Sequence, residues 1–146
     1  MPSELSFRVL NQVHRTIIRL TGGRLGWSAP GYGMPVVELT TTGRKTGEPR
    51  TTMLTSPLRQ EDEIVLVASA GGSDRHPAWY LNLLADPEVT VTTREKRAQR
   101  MRAEPASEEE RARLWPIIVR DHPNYAGYQR KTRREIPLVV LRPLGS

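Results

Sequence analysis

Residues 39–54, LTTTGRKTGEPRTTML, join two Thr-rich segments through a short loop holding Gly43 and Gly47 and three cations, Arg44, Lys45 and Arg50. Branched side chains favour extended backbone. A short glycine-containing connection between two such runs reads as a β-hairpin. A phosphate-binding Walker A loop would need glycines at positions 39 and 44, where this chain has Leu39 and Arg44. Arg44 and Arg50 carry planar forks and Lys45 a point charge, a set suited to phosphate or carboxylate. The two glycines let backbone N–H groups come close to an anion. The other reading is an exposed turn whose charges keep it soluble.

Outward from this hairpin the same composition recurs. Segments 36–42, 51–57, 64–68, 89–93, 98–103 and 136–141 are rich in Val, Ile and Thr or alternate in polarity, which predicts about six strands. Two helices interrupt them. One covers 76–85, with Pro77 in its first turn and Asp86-Pro87 as its stop. The other covers 107–120, where Ser107 and Glu110 form a capping box and Pro116 is expected to kink or split the helix. A short helix after Pro123 would carry Tyr125 and Tyr128 on one side. Many short strands with few helices predict an α+β fold built on an antiparallel barrel; the βαβ rhythm of a doubly wound sheet is absent.

At the N-terminus, 4–20 reads as a helix. Leu10, Val13, Ile17 and Leu20 form its apolar stripe, and Arg8, Arg15 and Arg19 lie off it. Such a helix packs on its own domain, on a second subunit, or on an anionic membrane surface. Residues 1–25 are therefore expected as an amphipathic helix and 26–146 as the barrel domain.

The chain has 146 residues, 37% hydrophobic and 26% charged, which fits one globular domain. It lacks cysteine, which excludes disulfides, thiolate metal sites and a Cys nucleophile and agrees with a cytoplasmic protein. No apolar run approaches the roughly 20 residues of a membrane span. The net charge of +6 favours anionic partners. Nucleic acid is not expected among them, because there is no basic tail and the aromatic residues are scattered.

Two more segments could carry chemistry. In VASAGGSDRHPAWYLNL, residues 67–83, a strand enters the small-residue loop 69–73 and then a helix begins. Glycines and a helix start admit an anion, though such loops also serve as plain connectors. In HPNYAGYQ, residues 122–129, Tyr125 and Tyr128 pair an apolar ring with a hydroxyl, suited either to packing or to covering a ligand. His14, His76 and His122 have no metal-ligand spacing, so no metal is expected, and no GxSxG elbow occurs. Chemistry in such a chain falls to a bound organic cofactor.

Three stretches, ELTTTGRKTGEPR, VASAGGSDRHPAWYLNLLADPEV and EERARLWPIIVRDHPNYAGYQRKTRREIPLVVL, resemble the deazaflavin-dependent nitroreductase family in order and spacing. That resemblance implies a split β-barrel like that of small FMN-binding oxidases. It also implies reduced coenzyme F-420 as reductant and a quinone-like, nitro or enone acceptor. By resemblance, Arg44, Lys45, Thr46 and Arg50 hold the coenzyme's phosphate and acidic tail. Thr51, Thr52, Met53, Leu54 and Thr55 run beside its ring. Val67, Ala68, Ser69 and Ala70, then Ala78, Trp79, Tyr80, Leu81 and Asn82, complete the groove, with Tyr125 near the ring. Ser69, Tyr125 and Tyr128 are the candidate hydrogen-bond donors to the acceptor. Thr55, His122, Tyr125 and Tyr128 form the expected acceptor pocket. Family members often have Tyr where this chain has Thr55 and His122, so the resemblance implies the coenzyme more closely than the acceptor. An FMN-binding oxidoreductase and a non-enzymatic coenzyme carrier are the alternatives. If the acceptor is a lipid quinone, the basic helix at 4–20 implies contact with the cytoplasmic membrane face.

Overall fold

The computed structural model describes residues 34–144. The helix expected over 4–20 and all but the last two residues of the Gly- and Pro-rich stretch 23–35 lie outside the described residues. The strands are β1 (Val36–Thr42), β2 (Pro49–Thr55), β3 (Leu58–Gln60), β4 (Glu63–Val67), β5 (Glu88–Thr92), β6 (Gln99–Pro105) and β7 (Leu138–Pro143). A 3-10 turn spans Ala70–Gly72, and the helices are α1 (Ala78–Ala85), α2 (Glu108–Asp121) and α3 (Asn124–Arg130).

All seven strands form one antiparallel sheet in the order β2-β1-β5-β6-β7-β4-β3. The outermost strands, β2 and β3, are separated in the chain by Ser56 and Pro57 alone. Laid flat, seven strands would put them about 29 Å apart at the usual strand spacing. Two linking residues reach only about 11 Å. The sheet must therefore curl until its two edges meet at that corner. Ser56 is buried and fixes the link: its N–H donates to Pro35 O at 2.9 Å, and its hydroxyl lies 2.9 Å from Val65 O. This half-barrel is the split-barrel architecture expected from the sequence, with seven strands among the described residues in place of about six. The added strand, Leu58-Arg59-Gln60, is three residues long and pairs with β4 through a turn in which Glu61 takes φ 54°.

Alternation along the central strands feeds two cores. Ile64 and Leu66 of β4 and Val139 and Leu141 of β7 face the inside of the curl, with Val37, Leu39, Val89, Val91 and Met101, and α1 adds Tyr80 and Leu83. Val65, Val67, Leu138 and Val140 face the other way, where Leu114 and Ile118 of α2 and Tyr125 of α3 cover them. Hence β4 and β7 are apolar at successive positions, as strands buried on both faces must be.

The capping box of α2 forms as expected. Glu110 N–H donates to Ser107 Oγ at 3.1 Å, and Ser107 N–H donates to Glu110 Oε1 at 3.2 Å. Pro116 does not split α2, which runs unbroken from Glu108 to Asp121. Proline deprives a single carbonyl of its helical donor. Leu114 and Ile118 on either side are 0% and 1% exposed, and burying each contributes about 1.5–3 kcal/mol, enough to hold the segment helical across the gap.

Candidate coenzyme and acceptor site

The 43–50 loop is closed from within. Gly43 N–H donates to Glu48 O and Gly47 N–H to Gly43 O, both at 2.8 Å. Gly47 has φ +75°, which favours glycine. A Cβ at Gly43 would sit 3.1 Å from Glu48 O. Thr46 Oγ1 accepts from Glu48 N–H at 3.2 Å and from Arg50 Nη2 at 3.4 Å. Thr46 thus braces the loop and aims Arg50.

Asn82 ties this loop to α1. Its side chain is 4% exposed. Oδ1 accepts from the Arg44 backbone N–H and from Arg44 Nη1, each at 3.2 Å, and Nδ2 donates to Thr41 Oγ1 at 3.2 Å. A neutral amide holds Arg44 by two bonds and leaves its charge uncancelled. Among the described residues Arg44, Lys45 and Arg50 form no ion pair. Arg59, Arg100, Arg102, Arg111, Arg120 and Arg142 each reach a carboxylate, the longest contact being 3.4 Å. Three uncancelled cations on a loop braced by neutral groups fit a polyanionic ligand.

From this loop β2 leads away, with β1 as its one partner strand among the described residues. Along 51–55 Met53 is buried, whereas Thr51, Thr52, Leu54 and Thr55 are half-buried. The run 78–82 is likewise mixed. Tyr80 joins the inner core, Asn82 braces the loop, Ala78 is exposed, and Trp79 and Leu81 are half-buried. Val67 and Ala68 are buried in the two cores, so their side chains are committed to packing.

The far end of β2 meets the expected acceptor residues. Thr55 Oγ1 lies 3.3 Å from Tyr125 Oη, which also lies 3.5 Å from Met34 Sδ. The rings of Tyr125 and Tyr128 meet edge to face at 5.9 Å, those of His122 and Tyr125 at 6.5 Å. Lys131 Nζ sits 5.7 Å over the Tyr128 ring. Thr55, His122, Tyr125 and Tyr128 are thus one cluster although 73 positions separate the first from the last.

The 68–76 loop leads from β4 to α1. Ala70, Gly71 and Gly72 take φ 45°, 65° and 88°. A Cβ at Gly72 would come within 2.7 Å of Tyr128 O, so this turn abuts α3 directly. Arg134 donates to the carbonyls of Ser73, Ser69 and Ala68. Arg134 escaped the sequence reading, because the run RKTRRE gives no means of telling a buried arginine from solvated ones. Burial, and then the Arg134 charge, hold the His76 imidazole below its usual pKa, so His76 is neutral near pH 7 and Nδ1 accepts from Arg134 Nη1 at 3.2 Å. Burial pushes the Tyr80 phenol up, so it stays protonated.

The sequence profile of the F420H(2)-dependent quinone reductase family matches residues 10–143. An F420H(2)-dependent quinone reductase of Mycobacterium tuberculosis is 44% identical over 135 residues, covering 90% of this chain and 89% of that protein. A solved F420-H2 dependent reductase shares 38% identity at TM-score 0.66, over 74% of this chain and 94% of that one. Another solved structure, described as a domain-swapped dimer, shares 34% identity at TM-score 0.69, over 90% of this chain and 94% of that one. With fold and relatives in agreement, this chain belongs to the F420H(2)-dependent quinone reductase family and is an enzyme whose reductant is reduced coenzyme F-420.

Proposed function

We propose that the groove bounded by the 43–50 loop, β2 and the 68–82 segment holds the coenzyme, and that the Thr55–His122–Tyr125–Tyr128 cluster receives the quinone. The observation that carries this reading is the set of uncancelled cations Arg44, Lys45 and Arg50, braced by Asn82 and Thr46. They would take the coenzyme's phosphate and acidic tail. Half-buried Trp79 and Leu81 would wall the groove against water.

When bound, the reduced deazaflavin supplies a hydride, and hydride plus one proton converts a quinone to a hydroquinone. The residues supply orientation and polarity. Negative charge gathers on the acceptor oxygen as the hydride arrives, and hydroxyl donors there lower the barrier. Tyr125 and Tyr128 on α3, with Ser69 from the adjoining loop, are the donors we assign. Thr55, within 3.3 Å of Tyr125 Oη, sets where that hydroxyl sits. Solvent completes the proton supply.

Arg50→Ala tests the groove. A bond between charged partners is worth roughly 1.5–3 kcal/mol, so coenzyme affinity should fall about ten- to a hundredfold. Fluorescence titration of coenzyme F-420 reads this, and unchanged affinity would remove Arg50 from the site. Steady-state oxidation of the reduced coenzyme against quinones, nitro compounds and enones then ranks the acceptors; a nitro compound outrunning every quinone would overturn the quinone reading of the pocket. Among the described residues no helix is long and apolar enough to cross a membrane. Access to a lipid quinone we assign to the basic helix expected at 4–20. Liposome co-sedimentation should weaken when residues 1–25 are removed, and equal partitioning would sink that assignment.

A further inference from the structure

Arg134 lies between α3 and β7, half-buried, and forms no ion pair among the described residues. Four of its five N–H donors are nevertheless used, all on one loop. Nε donates to Ser73 O at 2.8 Å, Nη2 to Ser69 O at 2.9 Å, and Nη1 to Ala68 O and His76 Nδ1, each at 3.2 Å. A fork spent on three main-chain carbonyls fixes the orientation of three peptide groups.

Those peptide groups belong to an unusual turn. Ser69 is right-handed at φ −81°, ψ −33°, and Gly71 is left-handed at φ 65°, ψ 18°. Ala70, which is not glycine, takes φ 45° between them. A right-to-left succession of this kind makes the intervening N–H groups converge on a concavity that accepts an anion or a polarised oxygen. Gly72 N–H and Ser73 N–H close back onto Ser69 O and Ala70 O. Among the described residues Ala70 N–H and Gly71 N–H donate to no backbone carbonyl, although Gly71 is buried. Buried N–H groups are costly when unmet, and a left-handed alanine adds strain of roughly 1 kcal/mol or more. Something must hold such a turn before its ligand arrives.

We propose that Arg134 is a positioning residue that preorganises the coenzyme groove: by holding the carbonyls of Ala68, Ser69 and Ser73 it fixes the Ser69–Ala70 peptide and turns the Ala70 N–H toward an oxygen of the coenzyme, while the Ser73 N–H on Ala70 O sets the Gly71 N–H beside it. Arg134 is itself tied to the acceptor side. Gln129 on α3 donates through Nε2 to Arg134 O at 2.7 Å and accepts Ile136 N–H at 2.9 Å and Arg111 Nη2 at 3.3 Å. Arg111 is in turn stacked on Trp115, 4.5 Å from the ring centroid. The 68–76 loop and the tyrosine-bearing helix are therefore joined through Arg134 and Gln129.

The inference rests on the groove assignment above, and the two fail separately. Amide hydrogen exchange of the coenzyme-free protein tests the turn with no ligand present. Arg134→Ala and Arg134→Lys should each raise exchange in peptides covering 68–76 about tenfold or more while the sheet peptides keep wild-type rates. Both should weaken coenzyme F-420 binding by fluorescence titration about tenfold or more, the loss of one or more charged hydrogen bonds. Lysine keeps the charge but cannot fork to three carbonyls. Millimolar guanidinium should restore affinity to Arg134→Ala but not to Arg50→Ala, and sodium at equal ionic strength should restore neither. Wild-type exchange and affinity in Arg134→Lys would overturn the proposal by reducing Arg134 to a charge. Faster exchange across the whole sheet in both variants would overturn it by making the role one of general stability. If Arg134→Ala does not fold, Arg134→Lys decides alone. Should Arg50→Ala bind normally while loop exchange responds as described, the turn assignment stands and the groove assignment falls.

Discussion

Arg142 and Arg44 are both guanidinium groups fixed by side-chain acceptors, yet they are held in opposite ways. Arg142 on β7 is surrounded by carboxylates: Glu63 at 3.0 Å, Glu104 at 3.3 Å and Glu110 at 2.7 Å. Its charge is more than cancelled, and it joins β4, β6 and the start of α2. Arg44 is held by Asn82, which fixes its position and cancels nothing. One cation is tied into the fold by opposite charges; the other, on the function proposed above, is left for a ligand.

That contrast can be broken by exchanging the braces. The largest effect is expected for Asn82→Ala, which strips three hydrogen bonds and leaves Thr41, 2% exposed, without its amide partner. Stability should fall by about 1–3 kcal/mol in denaturant melts, and coenzyme affinity should fall with it. Intact affinity would show that Arg44 needs no brace. Arg142→Ala should do the reverse: about 1 kcal/mol of stability lost, since the side chain is 32% exposed, with coenzyme affinity unmoved. A shift in coenzyme affinity would erase the distinction between the two arginines.

Tyr125→Phe sharpens the acceptor side. It removes a hydroxyl placed against Thr55 and should cut turnover roughly two- to tenfold at unchanged coenzyme affinity. Full turnover would strike Tyr125 from the donors. The smallest effect is a pH dependence. The Ser107 N–H, and then the Arg142 charge, hold the Glu110 carboxyl below its usual range against the opposing pull of burial. A depressed carboxyl stabilises the fold in full above its unfolded pKa and loses that contribution as pH falls through the folded value. The stability gap between wild type and Glu110→Gln should thus be present at neutral pH and close below about pH 4. A gap that persists in stronger acid would mean Glu110 acts by packing.

How legible this was in the sequence differs by element. Strands β1, β2 and β5 announce themselves through Val and Thr, and the capping box fixes the start of α2. Leu58-Arg59-Gln60 carries no such signal and is a strand only because Ser56 and Pro57 deliver it beside β4. Pro116 leaves α2 unsplit, since tertiary burial outweighs one lost hydrogen bond. At the site, the cations were visible in GRKTG, but the brace at Asn82 joins residues 38 positions apart. Chain-local patterns cannot show such a contact. Arg134 was hidden for the same reason: what separates it from Arg133 is the carbonyl-lined space it enters.

The double burial of β4 and β7 has a consequence for how the enzyme fails. Strands packed on both faces are the last to open, whereas edge strands open first. The 68–76 loop grows out of β4, and the segment bearing Arg134 runs into β7. The cation clamp that we propose for the coenzyme hangs instead on β2, at the sheet's margin. On warming, the clamp should loosen while the turn and the tyrosine helix are still in register. Inactivation should then precede global unfolding, and saturating coenzyme, by fastening the margin, should draw the two temperatures together.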